Sequence, residues 1–151
     1  MNALVVYDST FGNTESIAEA IADVLAQRGT ARLLRVNKVQ PGDLEGIDLL
    51  VAGCPTQRRK PTPAIVAFLG VTPAAALEGL AVAAFDTRYR RFRLVTGSAA
   101  RALAKRLRKA GAALLLPPES FFVLGREGPL EEGELGRAAD WARKILNILG
   151  V

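Results

Sequence analysis

The chain has 151 residues, half of them hydrophobic, with 20 Lys/Arg against 15 Asp/Glu, one cysteine and no histidine. That length suits one domain with a substantial core, so a single unit over residues 1–151 is expected. Imidazole catalysis, His-ligated metals and an internal disulfide are excluded, and no apolar run is long enough to span a bilayer.

Taken in order, Ala3-Leu4-Val5-Val6-Tyr7 is a run of buried-strand residues. The opening residues therefore read as strand and turn instead of a signal peptide, and a soluble cytoplasmic protein is the expectation. A tight, hydroxyl-rich turn follows, Asp8-Ser9-Thr10-Phe11-Gly12-Asn13-Thr14. Ile17, Ala18, Ile21, Ala22 and Leu25 then repeat at helical spacing until Gly29 closes the helix. Strand, turn and helix N-terminus together make an anion site. The first helical N–H groups have no intrahelical partner, and the macrodipole is positive there. Ser9, Thr10 and Thr14 add hydroxyls, Asn13 an amide, and Gly12 permits close backbone approach. With no lysine in the loop this is not a Walker A motif; it suits a phosphate monoester held mainly by neutral donors.

Residues 31–36 read as a second strand, followed by a polar connection through Pro41-Gly42 and Asp43. Residues 47–53 form a third strand with almost no polar alternation, hence buried on both faces. It breaks at Cys54-Pro55-Thr56, ahead of Arg58-Arg59-Lys60. A short helix over 63–69 ends at Gly70. Residues 80–85 are a fourth buried strand, and 86–97 a loop carrying Arg88, Tyr89, Arg90, Arg91, Phe92 and Arg93. Ser98 caps a helix to Ala110, with Leu103 and Leu107 inside and Arg101, Lys105, Arg106, Arg108 and Lys109 mostly outside. A fifth strand begins at residues 113–116, is interrupted by Pro117-Pro118 and resumes at 121–124. The last helix runs from about 132 to 149.

Five strands alternating with helices predict an α/β doubly wound parallel sheet flanked by helices; of the common doubly wound orders, 2-1-3-4-5 is the one expected here. That order puts a switch point between strands 1 and 3 and gathers the loops 8–14, 55–60 and 86–93 at one end of the sheet.

The stretch from Val5 to Thr14, with Ala18 and Ile21, resembles the flavodoxin signature, and Asp48 to Thr56 is similar to that family's third strand and ring-binding loop. The resemblance implies an FMN cofactor. Ser9, Thr10, Phe11, Gly12, Asn13 and Thr14 would hold its phosphate. Pro55, Thr56, Gln57 and Arg58 on one side, and Asp86, Thr87, Arg88 and Tyr89 on the other, would line its ring. The implied function is electron transfer. The alternatives are a small quinone or protoporphyrinogen-type oxidoreductase, or a flavin-free binding module. Several departures stand out. The first ring loop has no tryptophan, and the sole Trp141 reads as a core residue of the last helix. Tyr89 is the aromatic platform of the second ring loop, with Phe92 in reserve. No glycine lies between Pro55 and Lys60, where the family commonly turns a peptide over. No catalytic acid–base set, nucleophile or metal site is visible, and Cys54 reads as a small buried residue.

The net charge of +5 is local. Residues 55–110 hold 12 Lys/Arg and two acids, a balance of +10; the remainder holds 8 and 13, a balance of −5. Arg58, Arg59, Lys60, Arg88, Arg90, Arg91 and Arg93 form a basic rim at the expected cleft mouth. Positive charge there favours the more negative, fully reduced flavin and predicts a raised second potential. It also predicts steering of an acidic redox protein or an anionic substrate. No DNA- or RNA-reading motif accompanies the charge, so nucleic acid is set aside.

Overall fold

The computed structural model describes residues 1–91 and 96–151. The strands are β1 (Asn2–Tyr7), β2 (Thr30–Arg35), β3 (Leu49–Pro55), β4 (Ala81–Tyr89), β5 (Ala113–Leu114) and β6 (Glu119–Val123). The helices are α1 (Asn13–Leu25), α2 (Pro63–Val71), α3 (Ala74–Leu77), α4 (Ala99–Lys109) and α5 (Glu134–Leu149). The strand order is β2-β1-β3-β4-β5, the expected 2-1-3-4-5, and every pairing is parallel.

The two faces of the sheet follow from strand alternation. Ala3, Val5 and Tyr7 of β1, with Leu49 and Val51 of β3, face α1 and α5. Leu4 and Val6, with Leu50, Ala52 and Cys54, pack in the second core cluster with residues of α2 and α4. Trp141 is a core residue on the α5 side. Its ring meets Phe85 and Phe121 edge-to-face at 6.1 Å, and those two rings meet each other at the same distance. This triad fixes Gly53, because a Cβ there would lie 2.2 Å from the Phe85 ring.

Several boundaries differ from the sequence expectation: β3 runs on to Pro55, and the end of the fourth strand bears directly on the site. Pro117-Pro118 does split the fifth strand, but the two pieces serve different stretches of β4. β5 pairs Ala81 and Val82, and β6 pairs Phe85 through Tyr89. β4 therefore runs on to Tyr89, and Asp86, Thr87, Arg88 and Tyr89 are strand instead of loop. A further difference is α2, which continues through Gly70 to Val71 and is followed by the short α3. Among the described residues no helix is long and apolar enough to cross a membrane.

Candidate functional site

The turn after β1 is built by its own polar groups. Asp8 N–H donates to the Gly53 carbonyl at 3.0 Å, tying the turn to the end of β3. Ser9 N–H donates to Asp8 Oδ1 at 3.0 Å, and Ser9 Oγ accepts from Gly12 N–H at 3.1 Å. Gly12 has a φ of 90°, a left-handed conformation open to glycine, and it precedes the helix with no side-chain cap. The first N–H groups of α1 are thus left for an incoming acceptor. Thr14 is buried, and its hydroxyl meets that of Thr87 at 2.8 Å.

Arg35, at the end of β2, braces the turn from behind. Its guanidinium donates to the Ser9 carbonyl at 2.7 Å and to Glu15 Oε2 at 3.1 Å, and lies 5.3 Å from the Tyr7 ring centroid. Burial, followed by the Glu15 charge, raises the Tyr7 phenol above its ordinary pKa.

The second wall is the end of β3 and the turn after it. Gln57 and Lys60 exchange both backbone hydrogen bonds at 2.8 Å, and the two residues between them, Arg58 and Arg59, have φ of 48° and 71°. Positive φ at both central positions of a two-residue hairpin is the type I′ arrangement, which usually takes Asn-Gly. Two arginines occupy it here. Gly97 backs the turn so closely that a Cβ would come within 2.6 Å of the Arg59 carbonyl oxygen. Gln57 Nε2 reaches across to Thr10 Oγ1 at 2.9 Å, joining the first two walls.

The third wall is the extended end of β4. Thr87, Arg88 and Tyr89 face a cavity of about 790 Å³ shared with Ser9, Thr10, Phe11, Asn13, Thr14, Pro55, Thr56, Gln57 and Arg58. Two expected site residues stand outside it. Gly12 shapes the turn from behind the wall, and Asp86 is fully buried beneath it. Asp86 Oδ2 accepts from Ser98 Oγ at 2.8 Å, Ala100 N–H at 3.0 Å and Thr56 Oγ1 at 3.2 Å. It is a positioning residue that ties α4 to the ends of β3 and β4. Burial pushes its pKa up, against the lowering effects of Ala100 N–H, the Ser120 and Ser98 hydroxyls and Arg88.

The basic rim is uneven. Arg88 is almost wholly enclosed, donating to Ser120 Oγ at 2.9 Å and to the Arg91 carbonyl at 2.8 Å. Arg90 stacks 4.2 Å from the Phe122 centroid and pairs with Glu131 at 2.9 Å. Arg93, like Phe92, lies outside the described residues. Tyr89 is exposed toward the opening, as an aromatic platform requires. Cys54 is fully buried, with its pKa pushed up to about 12 by that burial, so it offers no nucleophile.

Arg126 also lines the cavity, and sequence reasoning missed it. It sits in a turn closed by Gly128 N–H to the Gly125 carbonyl at 3.1 Å, with Leu124 N–H bonded to the Pro129 carbonyl at 2.9 Å. Asn13 Nδ2 donates to the Glu127 carbonyl at 3.2 Å, fixing this turn against the start of α1. The signal was the Gly125-Arg126-Glu127-Gly128-Pro129 bracket, opposite the first turn in this topology. Arg58, Lys60, Arg88 and Arg126 thus line the cavity, and no carboxylate is among its described lining residues.

A family model for flavodoxin matches residues 5–141. The chain belongs to the flavodoxin family. Among solved structures it is similar to a flavodoxin from the domain Archaea, at a TM-score of 0.85 and 23% identity over all of both chains. Flavodoxin 1 from Bacillus cereus aligns at a TM-score of 0.81 and 18% identity, over 97% of this chain and 98% of that one. Rubredoxin oxygen:oxidoreductase from Desulfovibrio gigas contains the same fold as a part. There the match covers 99% of this chain and 37% of that one, at a TM-score of 0.76 and 16% identity. These identities show a shared fold.

Flavodoxin-family proteins bind flavin, typically FMN. The residues present fit that group. One end of the cavity offers unblocked helix N–H groups and hydroxyls for a phosphate; the other offers Pro55, Tyr89 and Val123 as an apolar wall.

Proposed function

We propose that this protein binds FMN and works as an electron carrier. The observation that carries the reading is the joining, in one cavity, of an uncapped helix N-terminus ringed by hydroxyls to a wall bearing an exposed tyrosine. Ser9, Thr10, Asn13 and Thr14 would hold the phosphate, with Arg126 beside them. Pro55, Thr56, Gln57, Arg58, Thr87, Arg88 and Tyr89 would flank the ring. Bound flavin would supply the redox chemistry, and the chain would bind, orient and electrostatically tune it. Among the described lining residues no carboxylate is available for proton transfer. That favours a carrier over an oxidoreductase acting on its own substrate.

The four cations lining the cavity set the direction of tuning. They favour whichever flavin state carries more negative charge, so the second reduction potential is raised relative to a flavodoxin with an acidic cleft. Spectroelectrochemistry of the FMN-loaded protein tests this. Arg58→Gln should lower the second potential by tens of mV, an order of magnitude that follows from one partly screened charge. An unchanged potential in Arg58→Gln, or rapid NAD(P)H oxidation by the protein alone, would overturn the tuning and carrier readings respectively.

A further inference from the structure

A row of cations without ion-pair partners among the described residues lies along α4. This helix contains Arg101, Lys105, Arg106, Arg108 and Lys109, all exposed, and no acid. Arg101 and Lys105, and Lys105 and Lys109, are repulsive i, i+4 pairs. The helix dipole stabilises the cations of the last turn, whereas Arg101 stands in the first turn, where it is unfavourable. None of the five takes part in an ion pair among the described residues. Two cations of the rim differ: Arg90 is neutralised by Glu131, and Arg88 is enclosed by its own acceptors.

These cations edge a groove. Arg101, Lys105, Arg108 and Lys109 border about 800 Å³ of open cleft whose remaining lining is apolar, with Leu114 and Pro118 supplied from the chain after the helix. The adjoining sheet edge is the two-residue β5, followed by Pro117-Pro118, so an incoming strand finds little backbone to pair with. A cation row at helical spacing over an apolar floor is complementary to a helix with carboxylates three and four residues apart and an apolar side chain between them.

We infer that the α4 groove is a docking site for an acidic amphipathic helix of a partner protein. The helix that borders the groove is tied at its start to the ends of β3 and β4. Ala99 N–H donates to Thr56 Oγ1 at 2.9 Å and Ala100 N–H to Asp86 Oδ2 at 3.0 Å, so the docked helix lies on an element anchored to two cavity walls. The groove lining contains no aromatic residue on which a base could stack, and its floor is apolar, which favours protein over nucleic acid. The inference does not depend on flavin occupancy.

The test is fluorescence anisotropy on the full chain, with and without FMN, at about 0.15 M salt. The probe is a labelled peptide of about 18 residues with Glu at i, i+4 and a leucine face. Its Gln-for-Glu counterpart, a DNA duplex and phosphatidylglycerol vesicles are the competitors. The acidic peptide should bind, and Lys105→Glu/Arg108→Glu should weaken it at least about tenfold. The milder Lys105→Gln/Arg108→Gln pair should show a smaller loss with unchanged circular dichroism. Arg143→Glu/Lys144→Glu, on α5, should leave binding unaltered. No binding of the acidic peptide, equal binding by the charge-reversed α4 variant, or tighter binding of DNA or vesicles would overturn the inference.

Discussion

The hydroxyls of Thr14 and Thr87 meet at 2.8 Å, joining the first turn of α1 to the end of β4 across 73 positions of chain. Both side chains are nearly inaccessible, so neither has ready access to water as a substitute partner. Thr14→Val or Thr87→Val alone should destabilise the fold by about 1–3 kcal/mol, because each strands a buried hydroxyl. The double variant should lose clearly less than the sum. Urea unfolding of the four proteins measures this cycle, and strict additivity would show that the two hydroxyls are not coupled.

The Arg58-Arg59 turn places two side chains in a backbone region that glycine and asparagine tolerate better. Arg58→Asn/Arg59→Gly should therefore stabilise the chain by about 0.5–1 kcal/mol, since it removes strain while keeping the Gln57–Lys60 pairing. A higher urea midpoint at unchanged slope is the expected result. A lower midpoint would mean that these arginine side chains contribute more than their backbone strain costs.

Arg126 faces the cavity from a turn fixed by Asn13, beside the proposed phosphate position. Arg126→Gln should weaken FMN by roughly tenfold through loss of a charge-assisted contact and leave riboflavin, which has no phosphate, nearly unchanged. Flavin fluorescence titrations separate the two. Equal loss for both ligands would place Arg126 at the ring instead.

Cys54 has its pKa raised to about 12 by burial. A folded value above the unfolded one contributes stability that is complete below about pH 8.5, the ordinary thiol value, and is lost as pH rises toward the folded value. Cys54→Ala should accordingly flatten the loss of stability between about pH 8.5 and 11, read from urea midpoints across that range. In the native wild type a disulfide reagent at pH 8 should react only as fast as the chain unfolds, and promptly in guanidinium. Fast native-state labelling would contradict this burial.

The fold was legible because its signals are local and strong. Uninterrupted apolar runs mark β1, β3 and β4, helical spacing marks α1 and α5, and glycines punctuate them. What escaped depends on pairing between distant segments. Asp86 looks like a strand terminator because a carboxylate in a buried strand is costly. Three donors from Thr56, Ser98 and Ala100 make it tenable, and none adjoins it in sequence. Likewise β4 reaches Tyr89 only because β6 supplies its ladder. Arg35 and Arg126 join the site through the sheet order, which brings the end of β2 and the turn after β6 to the first turn. The basic rim was visible as composition, but Glu131, which neutralises Arg90, lies 41 residues away.

An absorption spectrum of the purified protein, taken before and after addition of FMN and desalting, decides whether this cavity holds flavin. Oxidised-flavin bands are expected to persist at about one flavin per chain and to be lost in Thr14→Leu. A folded protein that stays colourless after FMN addition, with no quenching of flavin fluorescence, would contradict the proposed FMN binding.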